Sequence, residues 1–197
     1  MKIDIFAKEL KAPKINEREL MRYAGLKGAF LTDALKETVK KYEDIFTYRV
    51  VYARLSVTVS GDKVDTGAFS VSSKTLSCAL SGCDALYLVA ATVGVALDRA
   101  VSALSLISTA RAQLLDSFGT ERVETLLDEL TGILEEENKE KLLPRVSAGY
   151  GDIPLGVQRD IFKLLQPERK IALYLSDSLL MTPMKSVTAF IGVKKDK

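Results

Sequence analysis

The chain has no histidine among its 197 residues. That absence excludes more than any other feature of the composition. Without imidazole there is no Ser-His-Asp or Cys-His catalysis and no ligation of haem or cobalt through histidine by this chain. Acid–base chemistry is left to Asp, Glu, Lys, Tyr or water. Cysteine is nearly absent too: Cys78 and Cys83 are separated by four residues, and no second pair exists. A closed zinc site needs four nitrogen or sulfur ligands, so zinc, and with it any metal site, is not expected. Cys78 reads as a small core residue of a short helix, and Cys83 follows Gly82 at its exit.

Long apolar runs are missing as well. The longest, Ala85 to Ala91 extending to Leu97, is broken by Thr92 and Gly94. It falls short of the roughly 20 residues that a membrane-spanning helix requires. The start, Met1-Lys2-Ile3-Asp4-Ile5-Phe6, turns polar at once and lacks a signal-peptide core. These features give the expectation of a cytoplasmic protein with no membrane partner. The net charge of +2 argues against dense nucleic-acid binding. The basic end, Lys194 to Lys197, reads as a solvated tail. A Gly-rich dinucleotide loop is also missing, since Gly25-Leu-Lys-Gly28 does not follow a strand and Gly61 is isolated.

What is present is an ordinary globular balance, 47 % hydrophobic and 27 % charged, enough to bury a sizeable core without staples. The reading is one domain over residues 1–197, with a helical N-terminal part at about 14–47. Asn16 with Glu19 resembles a capping box, opening a helix that runs to about Tyr23 and stops at Gly25. A second helix starts near Thr32-Asp33, with Leu31, Leu35, Val39, Tyr42, Ile45 and Phe46 on one face and Lys36, Lys40 and Lys41 in solvent.

The period then changes. Arg49 to Ser60 alternates and is rich in Val, Tyr and Thr, so it predicts a strand. Gly61-Asp62 turns it, and Val64 to Val71 pairs back. Ser72 or Ser73 caps a short helix ending at Gly82, and Ala85 to Ala91 reads as a strand buried on both faces. Ala96 to about Leu142 is helical, interrupted near Gly119, with Glu135-Glu136-Glu137 a solvated charge run. A helix at 155–165 is stopped by Pro167, and Ile171 to Ser176 and Ser186 to Val193 read as strands. Neighbouring strands without strict β-α-β alternation predict an α+β fold: a largely antiparallel twisted sheet with flanking helices.

The stretch with the shape of a binding site is Arg145-Val-Ser-Ala-Gly149-Tyr150-Gly151-Asp152-Ile-Pro154-Leu155, ahead of a helical pattern. A guanidinium holds a carboxylate with two parallel hydrogen bonds. Gly149 and Gly151 permit turns closed to other residues and let a ligand approach the main chain. The competing reading is a plain surface turn whose Tyr packs on its neighbours.

This stretch resembles the AdoMet-binding loop of the activation domain of cobalamin-dependent methionine synthase. Leu175-Ser-Asp-Ser-Leu-Leu-Met181-Thr-Pro183-Met-Lys185-Ser186-Val187 resembles the same family's closing motif. Arg22-Tyr23-Ala24-Gly25 and the stretch from Gly82-Cys83-Asp84 to Ala91-Thr92-Val93-Gly94 resemble short, free-standing members. The four segments stand in the expected order and are spread over residues 22–187.

The resemblance implies a domain that binds S-adenosylmethionine (AdoMet) and presents its methyl group to a cobalamin carried by a partner protein. It implies reductive methylation of cob(II)alamin on a methionine synthase or related methyltransferase chain, with electrons from a flavodoxin-like donor. By the same resemblance Arg145 clamps the AdoMet carboxylate, while Ser147, Ala148 and Gly149 meet the adenine end. Tyr150 sits at the reacting end, near the sulfonium or over the corrin, and Glu124 contacts AdoMet from a helix. Two departures stand out. Val146 and Ala148 replace prolines frequent in the family, which implies a less rigid loop. The family's N-terminal acidic contact with AdoMet has no evident counterpart. A second reading is therefore a non-enzymatic docking module for a corrinoid protein that has lost AdoMet binding. A third is a generic α+β domain that binds another carboxylate-bearing metabolite through Arg145.

Overall fold

A computed structural model describes residues 3–26 and 32–194. The expectations for Gly28, Leu31 and residues 195–197 lie outside those ranges. The central element is strand β6, Ala85–Thr92, in which every residue is buried. In chain order before it come β1 (Ile5–Glu9), α1 (Glu17–Tyr23), α2 (Asp33–Tyr42), β2 (Arg49–Ser56), β3 (Thr58–Ser60), β4 (Lys63–Asp65), β5 (Ser70–Ser72) and α3 (Lys74–Ala79). After it come α4 (Ala96–Ser105), α5 (Thr109–Asn138), β7 (Lys141–Leu142), α6 (Val157–Leu165), α7 (Pro167–Ile171), β8 (Tyr174–Leu175), β9 (Met181–Thr182) and β10 (Ser186–Lys194).

The main sheet has the order β1-β2-β6-β10-β7, and every pairing in it is antiparallel. Alternation along its strands sends side chains to two separate cores. Val50, Tyr52, Tyr87, Val89 and Ala91 face one way and pack with Leu126, Leu127 and Leu130 of α5. Val51, Ala53, Leu86, Leu88 and Ala90 face the other way and pack with Leu76 of α3 and with Ile161 and Leu165 of α6. A sheet covered on both faces explains why β6 reads as a continuous apolar run. The expected α+β architecture is the observed one.

The helix boundaries follow local chemistry. The side chains of Asn16, Thr32 and Ser73 accept the backbone N–H groups of Glu19, Leu35 and Leu76, capping α1, α2 and α3. The reciprocal half of the capping box at α1 differs from expectation. The Asn16 N–H donates to Glu121 of α5 at 2.7 Å, while Glu19 pairs with Arg22.

Several expectations are corrected. Gly119 does not interrupt the long helix; α5 runs through it, and the break falls at residues 106–108. A Cβ at Gly119 would collide with Leu97 of α4, so glycine there permits two helices to approach rather than ending one. Lys141 and Leu142 form β7 against β10 instead of extending the helix. The expected strand at 49–60 divides into β2 and β3, and 64–71 into β4 and β5.

Pro167 opens α7 rather than stopping structure, because proline lacks only an N–H that the first helical turn leaves unused. Ile171 consequently belongs to α7 rather than to a strand. Cys78 is exposed rather than in the core. The acidic run is only partly free: Glu135 accepts the Leu142 N–H at 2.9 Å and Glu137 pairs with Lys8 at 2.9 Å.

Candidate functional site

Beyond β7 the chain continues along the edge of β10. The Leu143 N–H donates to Gly192 O at 2.8 Å, and Val146 and Phe190 exchange backbone bonds of 3.0 and 2.8 Å. This extended course sends Arg145 to the α5 side while Val146 and Ala148 pack on the opposite core. The bonds to β10 hold the segment without prolines at positions 146 and 148.

Arg145 meets two carboxylates of α5. One terminal nitrogen donates to Glu124 Oε2 and the other to Asp128 Oδ1, each at 2.6 Å. Glu124 and Asp128 are four residues apart on one continuous helix, hence on one face. Burial alone would lower the guanidinium's pKa; the bonds to Glu124 and Asp128 outweigh it and raise it. A guanidinium has five N–H donors, and these two bonds use two of them. Tyr23 of α1 lies close by: burial raises the pKa of its hydroxyl, and the charge of Glu124 raises it further.

The turn that follows is tight. Gly149 and Gly151 adopt φ of +85° and +59°. The Gly149 N–H donates to Ile153 O at 3.0 Å, and the Tyr150 N–H to Ser147 O at 3.1 Å. The room beside these glycines is not open to a ligand, as the sequence suggested. A Cβ at Gly151 would lie 2.5 Å from Thr75 Oγ1, and one at Gly149 would lie 3.1 Å from Leu155. Both glycines serve the packing of the turn itself.

Asp152 fastens the turn to α3. Its carboxylate accepts the Ser73 hydroxyl at 2.5 Å and the N–H groups of Lys74 and Thr75 at 2.8 and 2.9 Å. Those bonds, the Ser73 hydroxyl first, hold its pKa well below the usual carboxylate range. Tyr150, at the tip, is 65 % exposed, and Ser147 is half-buried.

Two grooves open along α5, and Arg145 lines the smaller of them. One, of about 800 Å³, lies between α5 and residues 11–14; the other, of about 320 Å³, lies between α5 and residues 142–145. Asp128 and Gly132 line both. The structure thus brings Arg145 and Glu124 together, and places Ser147, Ala148, Gly149 and Tyr150 in sequence beyond them.

It adds Asp128, which sequence reasoning missed. The signal was the four-residue spacing from Glu124 on one helix face; that Arg145 docks against that face is a tertiary fact. Among the described residues no group of three or more Cys, Asp or Glu is arranged to hold a metal ion, and no helix is long and apolar enough to cross a membrane.

No family model matches the sequence, and no curated protein matches it. Among solved structures, the crystal structure of the MetH reactivation domain bound to AdoHcy aligns with 100 % of this chain and 80 % of its own, at a TM-score of 0.73 and 14 % identity. Identity that low carries no residue-by-residue assignment, but the superposition spans every element from the N-terminal helices to β10. The chain has the fold of the MetH reactivation domain.

Proposed function

We propose that this chain binds AdoMet and serves as the reactivation component of a corrinoid-dependent methionine synthase or related methyltransferase. In that role it supports reductive methylation of cob(II)alamin held by the partner, with one electron from a flavodoxin-like donor. The observation that carries the reading is the placement of Arg145. It stands at the sheet edge beside Glu124 and a groove, in a fold whose solved counterpart holds AdoHcy.

Arg145 binds the amino-acid carboxylate through the N–H donors that Glu124 and Asp128 leave free. Ser147, Ala148 and Gly149 line the adenine end. Tyr150, exposed at the tip of a pinned turn, offers its ring to the sulfonium, since an aromatic face attracts a cation. The partner's cobalamin supplies the cobalt that takes the methyl group. This chain binds and orients the donor.

Titration calorimetry with AdoMet tests the reading. The unaltered chain binds AdoMet, and Arg145→Ala weakens binding by roughly ten- to a hundredfold, because a charged hydrogen-bond partner is lost. Unchanged binding would remove Arg145 from the site.

The second reading, a docking module without AdoMet, has one observation in its favour: α5 already supplies Arg145 with two carboxylates. It is the correct one if the chain co-elutes with a corrinoid protein but AdoMet gives no heat of binding with or without that partner. AdoMet-dependent methylation of cob(II)alamin in the presence of chain, partner and electron donor would rule it out.

A further inference from the structure

Arg145 carries one positive charge, and the carboxylates it touches carry two negative charges, at 2.6 Å each. The cluster is therefore one negative charge in excess. A ligand that offers only a carboxylate to Arg145 enters against that excess. A ligand that brings its own positive charge relieves it. AdoMet carries a carboxylate, an ammonium and a sulfonium, for a net charge of +1. Its demethylated product, S-adenosylhomocysteine (AdoHcy), has no sulfonium and is net neutral. The two differ by one methyl group and one charge.

Asp128 is placed to sense that charge. It is bonded to Arg145 and lines both grooves. The carboxylate end of any ligand held by Arg145 therefore lies within about one Debye length, ~8 Å, of Asp128. Glu124 is more enclosed, with 38 % of its side chain exposed against 62 % for Asp128, and its charge also acts on Tyr23. Asp128 is thus the member of the cluster that turns toward the open groove.

We propose that Asp128 is a specificity-determining residue: its charge makes the Arg145 site prefer the sulfonium donor over the demethylated product. This rests on the reading that Arg145 binds the AdoMet carboxylate.

The experiment is titration of the full chain with AdoMet and with AdoHcy, in the unaltered form and as Asp128→Asn. Asparagine keeps the shape and one acceptor while removing the charge. The unaltered chain is expected to bind AdoMet more tightly, and the ratio of the two affinities is expected to fall by roughly two- to fivefold in Asp128→Asn, as suits an exposed charge. Raising salt from about 20 mM to about 0.5 M should erode the same ratio in the unaltered chain, which keeps the test decisive if the variant fails to fold.

An unchanged ratio in the variant, or AdoHcy binding at least as tightly as AdoMet in the unaltered chain, overturns the proposal. Failure of both ligands to bind the unaltered chain, with or without a corrinoid partner, is a different result. It overturns the AdoMet reading itself, and this inference with it.

Discussion

Asp152 ties two parts of the chain together through a single carboxylate. Residues 74 and 75 open α3 with backbone N–H groups that have no partner inside the helix. Asp152, 77 or more residues away in sequence, accepts both along with the Ser73 hydroxyl, while Ser73 accepts the Leu76 N–H in turn. The donors of a short helix are thus completed by the turn that carries Tyr150. These bonds favour the ionised form, so the folded-state pKa is depressed. A depressed carboxylate adds stability that is fully present above its unfolded pKa, about 3.9, and is lost as pH falls toward the folded value. Asp152→Asn should therefore melt at a lower temperature than the parent at pH 7. The gap should narrow as pH is taken below about 4. Thermal unfolding followed by circular dichroism across that range checks both the sign and the window.

At the scale of elements, α5 contains two glycines with opposite consequences. A Cβ at Gly119 would meet Leu97, a side chain only 1 % exposed, and would come within 3.1 Å of Lys185 Cγ. A Cβ at Gly132 would meet nothing within 4 Å. Gly119→Ala should destabilise the protein by about 1–3 kcal/mol, because the packed core cannot yield. Gly132→Ala should stabilise it by about 0.5–1 kcal/mol, because the helix gains propensity at no steric cost. Denaturant titration of the two variants separates these outcomes.

The same pair explains what the sequence made legible. The caps at Asn16 and Ser73 and the run in β6 were readable, because capping bonds are local and a strand covered on both faces is apolar throughout. The continuity of α5 was not. A glycine inside a helical pattern looks like a break, and the α4 neighbour that needs it is a tertiary fact. Glu124 and Arg145 could each be singled out, but the part of Asp128 depends on how the segment after β7 lies against α5, which no local pattern carries. Cys78 failed for a related reason: α3, at six residues, is too short for its period to fix which side faces inward.

At the scale of the whole molecule, the approach of the N-terminal segment to α5 depends on a buried ion pair. Glu121 and Arg122 are 0 % and 2 % exposed. Arg122 donates to both carboxylate oxygens of Glu121, at 2.6 and 2.7 Å, and to the carbonyls of Pro13 and Lys14, at 2.7 and 3.1 Å. Glu121 also accepts the Asn16 N–H and the Thr125 hydroxyl, both at 2.7 Å. Residues 13–16 are thus held through their backbone, and α1, with Tyr23, is delivered beside Glu124. Residues 11–14 also form one wall of the larger groove.

Replacing Arg122 by methionine keeps much of the volume but leaves Glu121 buried without its cation and two carbonyls without donors. The expected loss is about 3–5 kcal/mol. Replacing Glu121 by glutamine in the same chain removes the stranded charge. The double variant should therefore lose less than the sum of the single ones, the signature of a coupled pair. Chemical denaturation of the parent, the two single variants and the double variant measures that coupling. Additive losses would mean that Glu121 and Arg122 hold the N-terminal segment independently of each other.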